Sequence, residues 1–125
     1  MYWWLASKNV KVTARREPLH SRLISTLLTE ATRIKSDFGL KDQLRRAVVS
    51  ISANIAEGFE RRSRNEYLNF LNIAKGSAGE VRTLLEIAAR VGYVDPVELE
   101  HLREKAKFLS GSITNHMKSI SRAPK

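Results

Sequence analysis

The sequence contains no cysteine and few residues that break helices, with three prolines and six glycines among 125 residues. The absence of cysteine excludes a disulfide framework, a thiolate nucleophile and a zinc site built on sulfur. Charged residues interrupt every apolar run, so no stretch approaches the ~20 apolar residues that a membrane-spanning helix needs. The apolar opening MYWWLASK has no basic segment before it and is too short for a secretory signal. We therefore expect a soluble, cytoplasmic protein without a membrane partner.

Acidic residues are also scarce, at 13 Asp and Glu against 22 Lys and Arg, which gives a formal net charge of +9. A chain of this length has room for one core, and 42% hydrophobic residues are enough to fill it. The composition predicts a single folded domain with a basic surface. Such a surface favours partners that carry phosphate or clustered acidic groups.

Apolar residues recur at helical rather than strand spacing in four segments, so we expect no sheet. In the third segment they step by four and three residues along Tyr67, Leu71, Ala74, Ala78, Val81, Leu85 and Ala88. A second stripe, interrupted by Glu80, runs through Phe70, Ile73, Ser77, Leu84, Ile87 and Val91. Two stripes predict that neighbours contact this helix from several sides. The fourth segment repeats the step at Leu99, Leu102, Ala106, Leu109, Ile113, Met117 and Ile120.

The first two segments are shorter. One stripe consists of Leu19, Leu23, Leu27, Ala31 and Ile34, and the next of Leu44, Ala47, Val48, Ile51 and Ile55. We expect the first helix to end before Gly39 and the second to stop at Gly58, because glycine commonly follows the last helical turn.

Capping residues mark the ends of the third and fourth helices. Ser63 and Glu66 have the spacing of a capping box, in which each side chain accepts a hydrogen bond from the other's backbone N–H. Gly92 is expected to end the third helix. The fourth is expected to start at Asp95, followed by Pro96 at the first helical position.

Four helices joined by short connections predict antiparallel neighbours, and hence an up-down-up-down four-helix bundle. We expect this all-α bundle to occupy residues 19–121, with an N-terminal tail at 1–18 and a C-terminal tail at 122–125. The tail residues Trp3 and Trp4 have no role that the sequence assigns.

An ordered series of motifs runs from Gln43 to Val94. It consists of Gln43-Leu44-Arg45-Arg46-Ala47, Asn54-Ile55-Ala56-Glu57-Gly58, Arg62-Ser63, Glu66, Phe70-Leu71, Gly76-Ser77, Glu80 and Gly92-Tyr93. The series resembles the four-helix-bundle protein family first noticed as small reading frames inside 23S rRNA intervening sequences. Lys41 stands where that family commonly has a Ser or Thr that caps the second helix.

The resemblance implies a bundle that assembles into a ring, typically a pentamer. A relative in that family is the accessory protein of diversity-generating retroelements, in which a basic barrel binds nucleic acid and the reverse transcriptase. The resemblance therefore implies nucleic acid and a reverse transcriptase as partners, and a homo-oligomer.

Six basic residues are candidate contacts to nucleic acid, on one helix, the loop after it and the next helix. They are Arg45, Arg46, Arg61, Arg62, Arg64 and Lys75. Guanidinium groups donate two parallel hydrogen bonds to phosphate, and neutralising several phosphates releases counterions. Five copies would carry a formal charge of +45, which favours nucleic acid. The alternative is that these side chains are solvated or paired with Glu57, Glu60 and Glu66.

Several further motif residues are interpreted as structural. They are Asn54, Glu57, Gly58, Ser63, Glu66, Gly76, Ser77 and Glu80. Asn54 and Glu57, one helical turn apart, are expected to satisfy the helix end or the Arg-rich loop. The small residues from Gly76 to Gly79 predict a close approach of another helix. A cofactor or phosphate nest is the alternative, although no strand-turn-helix context surrounds it.

The motif Glu-x-x-His, which builds di-iron sites in some bundles, occurs as Glu17 with His20 and as Glu98 with His101. Each pair begins its helix, and the first and fourth helices are expected to run antiparallel. The two pairs should then lie at opposite ends of the subunit and cannot share a metal. No serine elbow or pair of catalytic carboxylates is present. We expect no metal, no cofactor and no enzymatic activity.

The sequence therefore predicts a small, non-enzymatic, oligomeric bundle that binds RNA or DNA mainly through backbone phosphates. No residue is identified that would read base edges. The alternative is a protein-interaction scaffold whose basic face docks an acidic partner protein. Aromatic residues that stack on bases would separate the two, and Phe59, Tyr67 and Tyr93 are candidates that core packing explains equally well.

Overall fold

The computed structural model describes residues 19–31 and 37–122, which form four α-helices and no strand. The helices are α1 (Leu19–Ala31), α2 (Phe38–Phe59), α3 (Arg64–Arg90) and α4 (Pro96–Arg122). The predicted all-α class and helix number are thus confirmed. The predicted N-terminal tail with Trp3 and Trp4, the residue Ile34 and the last three residues lie outside the described part of the chain.

The helices form an up-down-up-down bundle in which α1 and α3 each pack against both α2 and α4. At one end, the Tyr67 hydroxyl near the start of α3 lies 2.8 Å from Nε2 of His116 near the end of α4. At the other end, Glu30 in the last turn of α1 lies 3.9 Å from His101 in the second turn of α4. These contacts show that α4 runs antiparallel to both neighbours.

The predicted apolar stripes fill one continuous core. Its largest fully buried side chains are Ile24, Leu27, Leu44, Val48, Ile51, Leu71, Val81, Leu85, Leu102, Leu109 and Ile113. Met117 and Ile120 pack against this core while remaining partly exposed. The second stripe of α3 is covered only in part: Leu84 is buried, whereas Ile73 and Ile87 are about half exposed. Within the described residues, no helix combines the length and apolar character needed to span a membrane.

The ends of α3 and the start of α4 follow the predicted capping. The Ser63 hydroxyl accepts a hydrogen bond from the backbone N–H of Glu66 at 3.1 Å. The helix ends in a Schellman motif, because Gly92 has a positive φ of 83° and the N–H of Tyr93 reaches the carbonyl of Ala88 at 2.9 Å. Asp95 then caps α4 and accepts from a backbone N–H two residues beyond Pro96, at 2.8 Å.

The start of α2 differs from the prediction. Asp37 is the cap, and its carboxylate accepts the backbone N–H of Leu40 at 2.7 Å. The helix therefore begins before Lys41, the position at which the family pattern places the cap. Helix α1 ends at Ala31, and Gly39 lies in the first turn of α2 instead of directly after α1. An aspartate in front of the segment supplies the acceptor that the first turn needs.

The end of α2 also differs, because Gly58 does not stop the helix. Gly58 is buried in the last turn, and the helix continues to Phe59. A β-carbon added at Gly58 would lie 2.7 Å from the β-carbon of Phe70 and 2.9 Å from the ring of Tyr67. Glycine is therefore required by the close approach of α2 and α3 at this level.

The close helix approach predicted for residues Gly76 to Gly79 is made by the middle of this stretch and not by its two glycines. A β-carbon at Gly76 would meet nothing within 4 Å, and one at Gly79 would come no nearer than 3.9 Å to the guanidinium of Arg82. The close contact is made by the residues between them: Ala78 is fully buried and the Ser77 hydroxyl lies 2.9 Å from that of Ser50 on α2.

Candidate nucleic-acid interface

The fold gathers basic side chains at the end of the bundle that contains the α2–α3 loop, residues 60–63. We call this the loop end; it also contains the start of α1 and the end of α4. Arg22 lies in the first turn of α1, and Lys118 and Arg122 follow His116 at the end of α4. These three exposed residues are far from the loop in sequence, and they join it only because neighbouring helices run antiparallel.

Three of the predicted contacts lie in or beside this loop. The Arg61 guanidinium pairs with the carboxylate of Glu57, one helical turn back, and lies 4.9 Å from the centroid of the Phe70 ring. These two contacts order a side chain that is still 39% exposed. Arg62 is exposed on the loop, and Arg64 is half-buried in the first turn of α3.

The other three predicted contacts lie elsewhere. Arg45 and Arg46 precede the end of α2 by about 20 Å at the rise of an α-helix, and Lys75 lies about 16 Å beyond the start of α3. Arg46 is bonded to Asp42 at 2.8 Å on the surface of α2. The six predicted residues therefore do not form one compact patch within a subunit.

The charge of the bundle is polarised along its axis. Within six residues of the loop end, the basic residues are Arg22, Arg61, Arg62, Arg64, Lys118 and Arg122, against Glu57, Glu60 and Glu66. Among the described residues, the equivalent region at the opposite end holds Lys41 and Arg90 against Glu30, Asp37, Asp42, Glu86, Asp95, Glu98 and Glu100. The net charge of the described residues is thus +3 at the loop end and −5 at the opposite end. The middle carries +5, with seven basic and two acidic residues.

Much of the basic character of the chain lies outside the described residues. The described residues contain 15 of the 22 Lys and Arg and 12 of the 13 Asp and Glu, so they carry a net charge of +3 out of the +9 of the whole chain. Four of the remaining basic residues, Lys8, Lys11, Arg15 and Arg16, precede Leu19 in the sequence. The described part of the chain begins with α1, whose first residue, Leu19, lies at the loop end.

Three further aromatic rings, those of Phe59, Tyr67 and His116, lie at the loop end. The Phe59 ring meets Tyr67 edge to face, with centroids 6.2 Å apart and planes at 88°. Tyr67 meets the ring of His116 at 5.6 Å, in addition to their hydrogen bond. Burial raises the pKa of Tyr67 to about 12 and lowers the pKa of His116, so the pair is held uncharged. Phe59 is the most exposed of the three, at 39%.

The remaining motif residues have structural contacts or lie on the surface. The Asn54 amide donates to the carbonyl of Ser50 at 2.8 Å, and Glu57 holds Arg61. Glu80 is exposed on α3. The third aromatic candidate, Tyr93, lies at the opposite end, where its hydroxyl donates to Asp37 at 3.4 Å.

Two ion-pair groups connect α4 to its neighbours and were not predicted. Arg103 bonds Glu86 of α3 at 2.5 Å and Glu100 of its own helix at 2.7 Å, and these carboxylates raise the pKa of Arg103. Lys105 pairs with Glu30 of α1. Both groups join side chains that are distant in sequence, so they can be identified only once the register of the packed helices is known.

The second Glu-x-x-His pair, Glu98 with His101, lies at the end of the bundle opposite to the start of α1. His101 lies beside Glu30 at the end of α1, so the start of α1 is at the other end of the bundle. Glu17 and the side chain of His20 lie outside the described residues. Among the side chains that the structure describes, there is no group of three or more His, Asp and Glu that would hold a metal ion.

Comparisons with known proteins agree with this architecture. The model of the 23S rRNA-intervening sequence protein family matches residues 8–115, and the chain therefore belongs to that family. A solved structure of a protein of unknown function from the S23 ribosomal protein family of Bacteroides thetaiotaomicron VPI-5482 is similar, with 27% sequence identity and a TM-score of 0.66. The similarity covers 80% of this chain and 92% of that one. No curated protein matches the chain.

Proposed function

We propose that this member of the 23S rRNA-intervening sequence protein family binds RNA or DNA through backbone phosphates at the loop end, without catalysing a reaction. The observation that carries the proposal is the convergence of six basic residues from three helices and one loop at that end. Neither the family description nor that of the structural neighbour names an enzymatic activity.

Arg61 and Arg62 are suited to phosphate for different reasons. Arg61 is already ordered by Glu57 and Phe70, so it loses little side-chain freedom when it binds. Arg62 is exposed on the loop, and its planar guanidinium can donate hydrogen bonds to two phosphate oxygens. Lys118 and Arg122 extend the same positive surface along the end of α4.

The charge polarity predicts how a nucleic acid lies on the subunit. Among the described residues, seven acidic side chains against two basic ones at the opposite end repel phosphate, while the loop end and the middle attract it. Arg45, Arg46 and Lys75 in the middle are then secondary contacts for a ligand long enough to extend along the bundle. Base-edge readout is not part of the proposal, since phosphate contacts carry no sequence information.

We also propose that the chain is a homo-oligomer, as the pentameric ring implied by the family resemblance would require. The supporting observation is an apolar groove of about 270 Å³ between α1 and α2. It is lined by Ile24, Leu28, Val48, Val49, Ser52, Ala53 and Ala56. A second copy that covers this groove would remove apolar surface from water, including Val49, which is 48% exposed. A reverse transcriptase partner remains a prediction from the resemblance.

The test measures binding of labelled RNA and DNA over a salt series, after light scattering has established the mass. Arg61→Ala with Arg62→Ala should weaken binding to all sequences and reduce the salt slope by about 1 to 2 units. Lys41→Ala with Arg90→Ala is the matched control, because it removes the same charge at the opposite end. Equal losses in both variants would contradict a site at the loop end.

Binding to neither nucleic acid at low salt would overturn the function itself. The arginines of the loop end would then be contacts for an acidic protein, which is the alternative scaffold role. Arg45→Ala with Arg46→Ala, measured in the same series, shows how far along α2 the interface extends.

A further inference from the structure

At the loop end one arginine of the proposed phosphate site is packed against an aromatic ring. Arg61 lies over the ring of Phe70, and Phe59 closes α2 one residue before the loop. By contrast, the exposed ring of Phe38, at 82%, lies at the acidic opposite end beside Asp37. Phosphate-binding groups and an accessible aromatic ring thus occur together at the loop end.

The position of the Phe59 ring is fixed by the side chains packed against it. Its ring meets Tyr67 edge to face, and Tyr67 is in turn hydrogen-bonded to His116 across the α3–α4 interface. Gly58 permits this arrangement, since any larger residue there would collide with Tyr67 and Phe70. A ring braced in this way stays in place when a ligand binds, while 39% of its surface remains in contact with solvent.

The orientation of the Arg61 guanidinium plane is also fixed by neighbouring side chains. Its guanidinium is held between the carboxylate of Glu57 and the ring of Phe70. Guanidinium planes and aromatic rings are the surfaces on which unpaired nucleic-acid bases stack in proteins. A duplex cannot use them, because its base faces are already stacked on one another and only its phosphates and groove edges are accessible.

We propose that the ligand of the loop end is an unpaired, single-stranded segment, with bases stacked on Phe59 and on the guanidinium of Arg61. Arg62, Lys118 and Arg122 contact the phosphates of the same segment. This inference rests on the proposed nucleic-acid function and names the form of nucleic acid that the site takes. A bulge, a loop or a strand end would satisfy it equally, since each presents bases that are not paired.

The experiment compares a strand of roughly 12 nucleotides with its own duplex, the strand carrying one 2-aminopurine. Wild-type protein should bind the single strand more tightly than the duplex. Phe59→Leu should lower the affinity for the strand at least about fivefold, the lower range for loss of one stacked base, and change the affinity for the duplex less than about twofold. Phe38→Leu is the control and should change neither affinity.

The other outcomes distinguish failure of the single-strand inference from failure of the proposed nucleic-acid function. Equal wild-type affinity for strand and duplex, with no effect of Phe59→Leu, would overturn the single-strand inference and leave the phosphate-binding function standing. Absence of binding to either form at low salt would overturn the proposed function. If Phe59→Leu does not fold, 2-aminopurine fluorescence on the wild-type protein decides, because saturation with no fluorescence change would exclude stacking at this site.

Discussion

A β-carbon on Gly58 would lie only 2.7 Å from the β-carbon of Phe70, closer than two such carbons approach without displacement. The last turn of α2 therefore lies directly against the first turns of α3. This contact sets the position of the α2–α3 loop and of the aromatic rings beneath it. Gly58 is thus a packing residue on which the geometry of the loop end depends.

Gly58→Ala should destabilise the protein by about 1 to 3 kcal/mol, because the added methyl group forces α2 and α3 apart. Gly76→Ala is the matched control, since it makes the same change in a helix where the new methyl group meets nothing within 4 Å. It should stabilise by up to about 1 kcal/mol through higher helix propensity. Thermal unfolding followed by circular dichroism measures both, and stabilisation by Gly58→Ala would refute the close approach.

The stability of the protein should be greatest between about pH 6.5 and pH 10. Burial lowers the pKa of His116, so below about pH 6.5 the unfolded state binds a proton that the folded state resists, and stability falls. Burial raises the pKa of Tyr67 to about 12, so above about pH 10 the unfolded state loses a proton that the folded state keeps, and stability falls again. Unfolding temperatures measured across this range test both limits.

The variant His116→Gln tests whether His116 causes the loss of stability at acidic pH. The variant lacks the group that must become charged on unfolding, so its loss of stability below about pH 6.5 should be smaller than that of the wild type. An identical acid slope in both proteins would show that His116 does not contribute. Tyr67→Phe should likewise reduce the loss of stability above about pH 10. At neutral pH it should destabilise the protein by about 1 kcal/mol, because the hydrogen bond to His116 is lost.

The ion pairs that join α4 to α1 and to α3 should differ in strength. Lys105 and Glu30 are 20% and 26% exposed, whereas Arg103 and Glu86 are 42% and 45% exposed. Less solvent screening should give Lys105–Glu30 a coupling of about 1 kcal/mol that persists in salt. A double-mutant cycle with Lys105→Met and Glu30→Gln measures it. The cycle for Arg103 and Glu86 should give a weaker, salt-sensitive coupling, and the reverse order would contradict the effect of burial.

Val49→Asp should dissociate the proposed homo-oligomer, because it places a charge in the apolar groove between α1 and α2. Val97→Asp is the control, since Val97 is 82% exposed in the first turn of α4 and does not line the groove. Light scattering gives the mass of each variant, and circular dichroism confirms the helical fold. A mass unchanged by Val49→Asp would remove the groove from the subunit interface.

The helices themselves follow from local sequence. Steps of three and four residues place Leu71, Ala78 and Leu85 on one face of α3, and Ser63 and Gly92 complete its two ends by short-range hydrogen bonds. Each of these features depends on residues within a few positions of one another, so the sequence determines them directly. The same holds for the ordered motifs that identify the family.

The tertiary structure decided which of these helix surfaces meet. It made Gly58 a contact residue rather than a helix stop and left Gly76 open to solvent. It also brought Lys118 and Arg122 to the loop end, more than fifty residues along the chain from Arg62. These outcomes depend on chain direction and on the register of one helix against another. Both are set by the packing of the whole core, which local spacing does not encode.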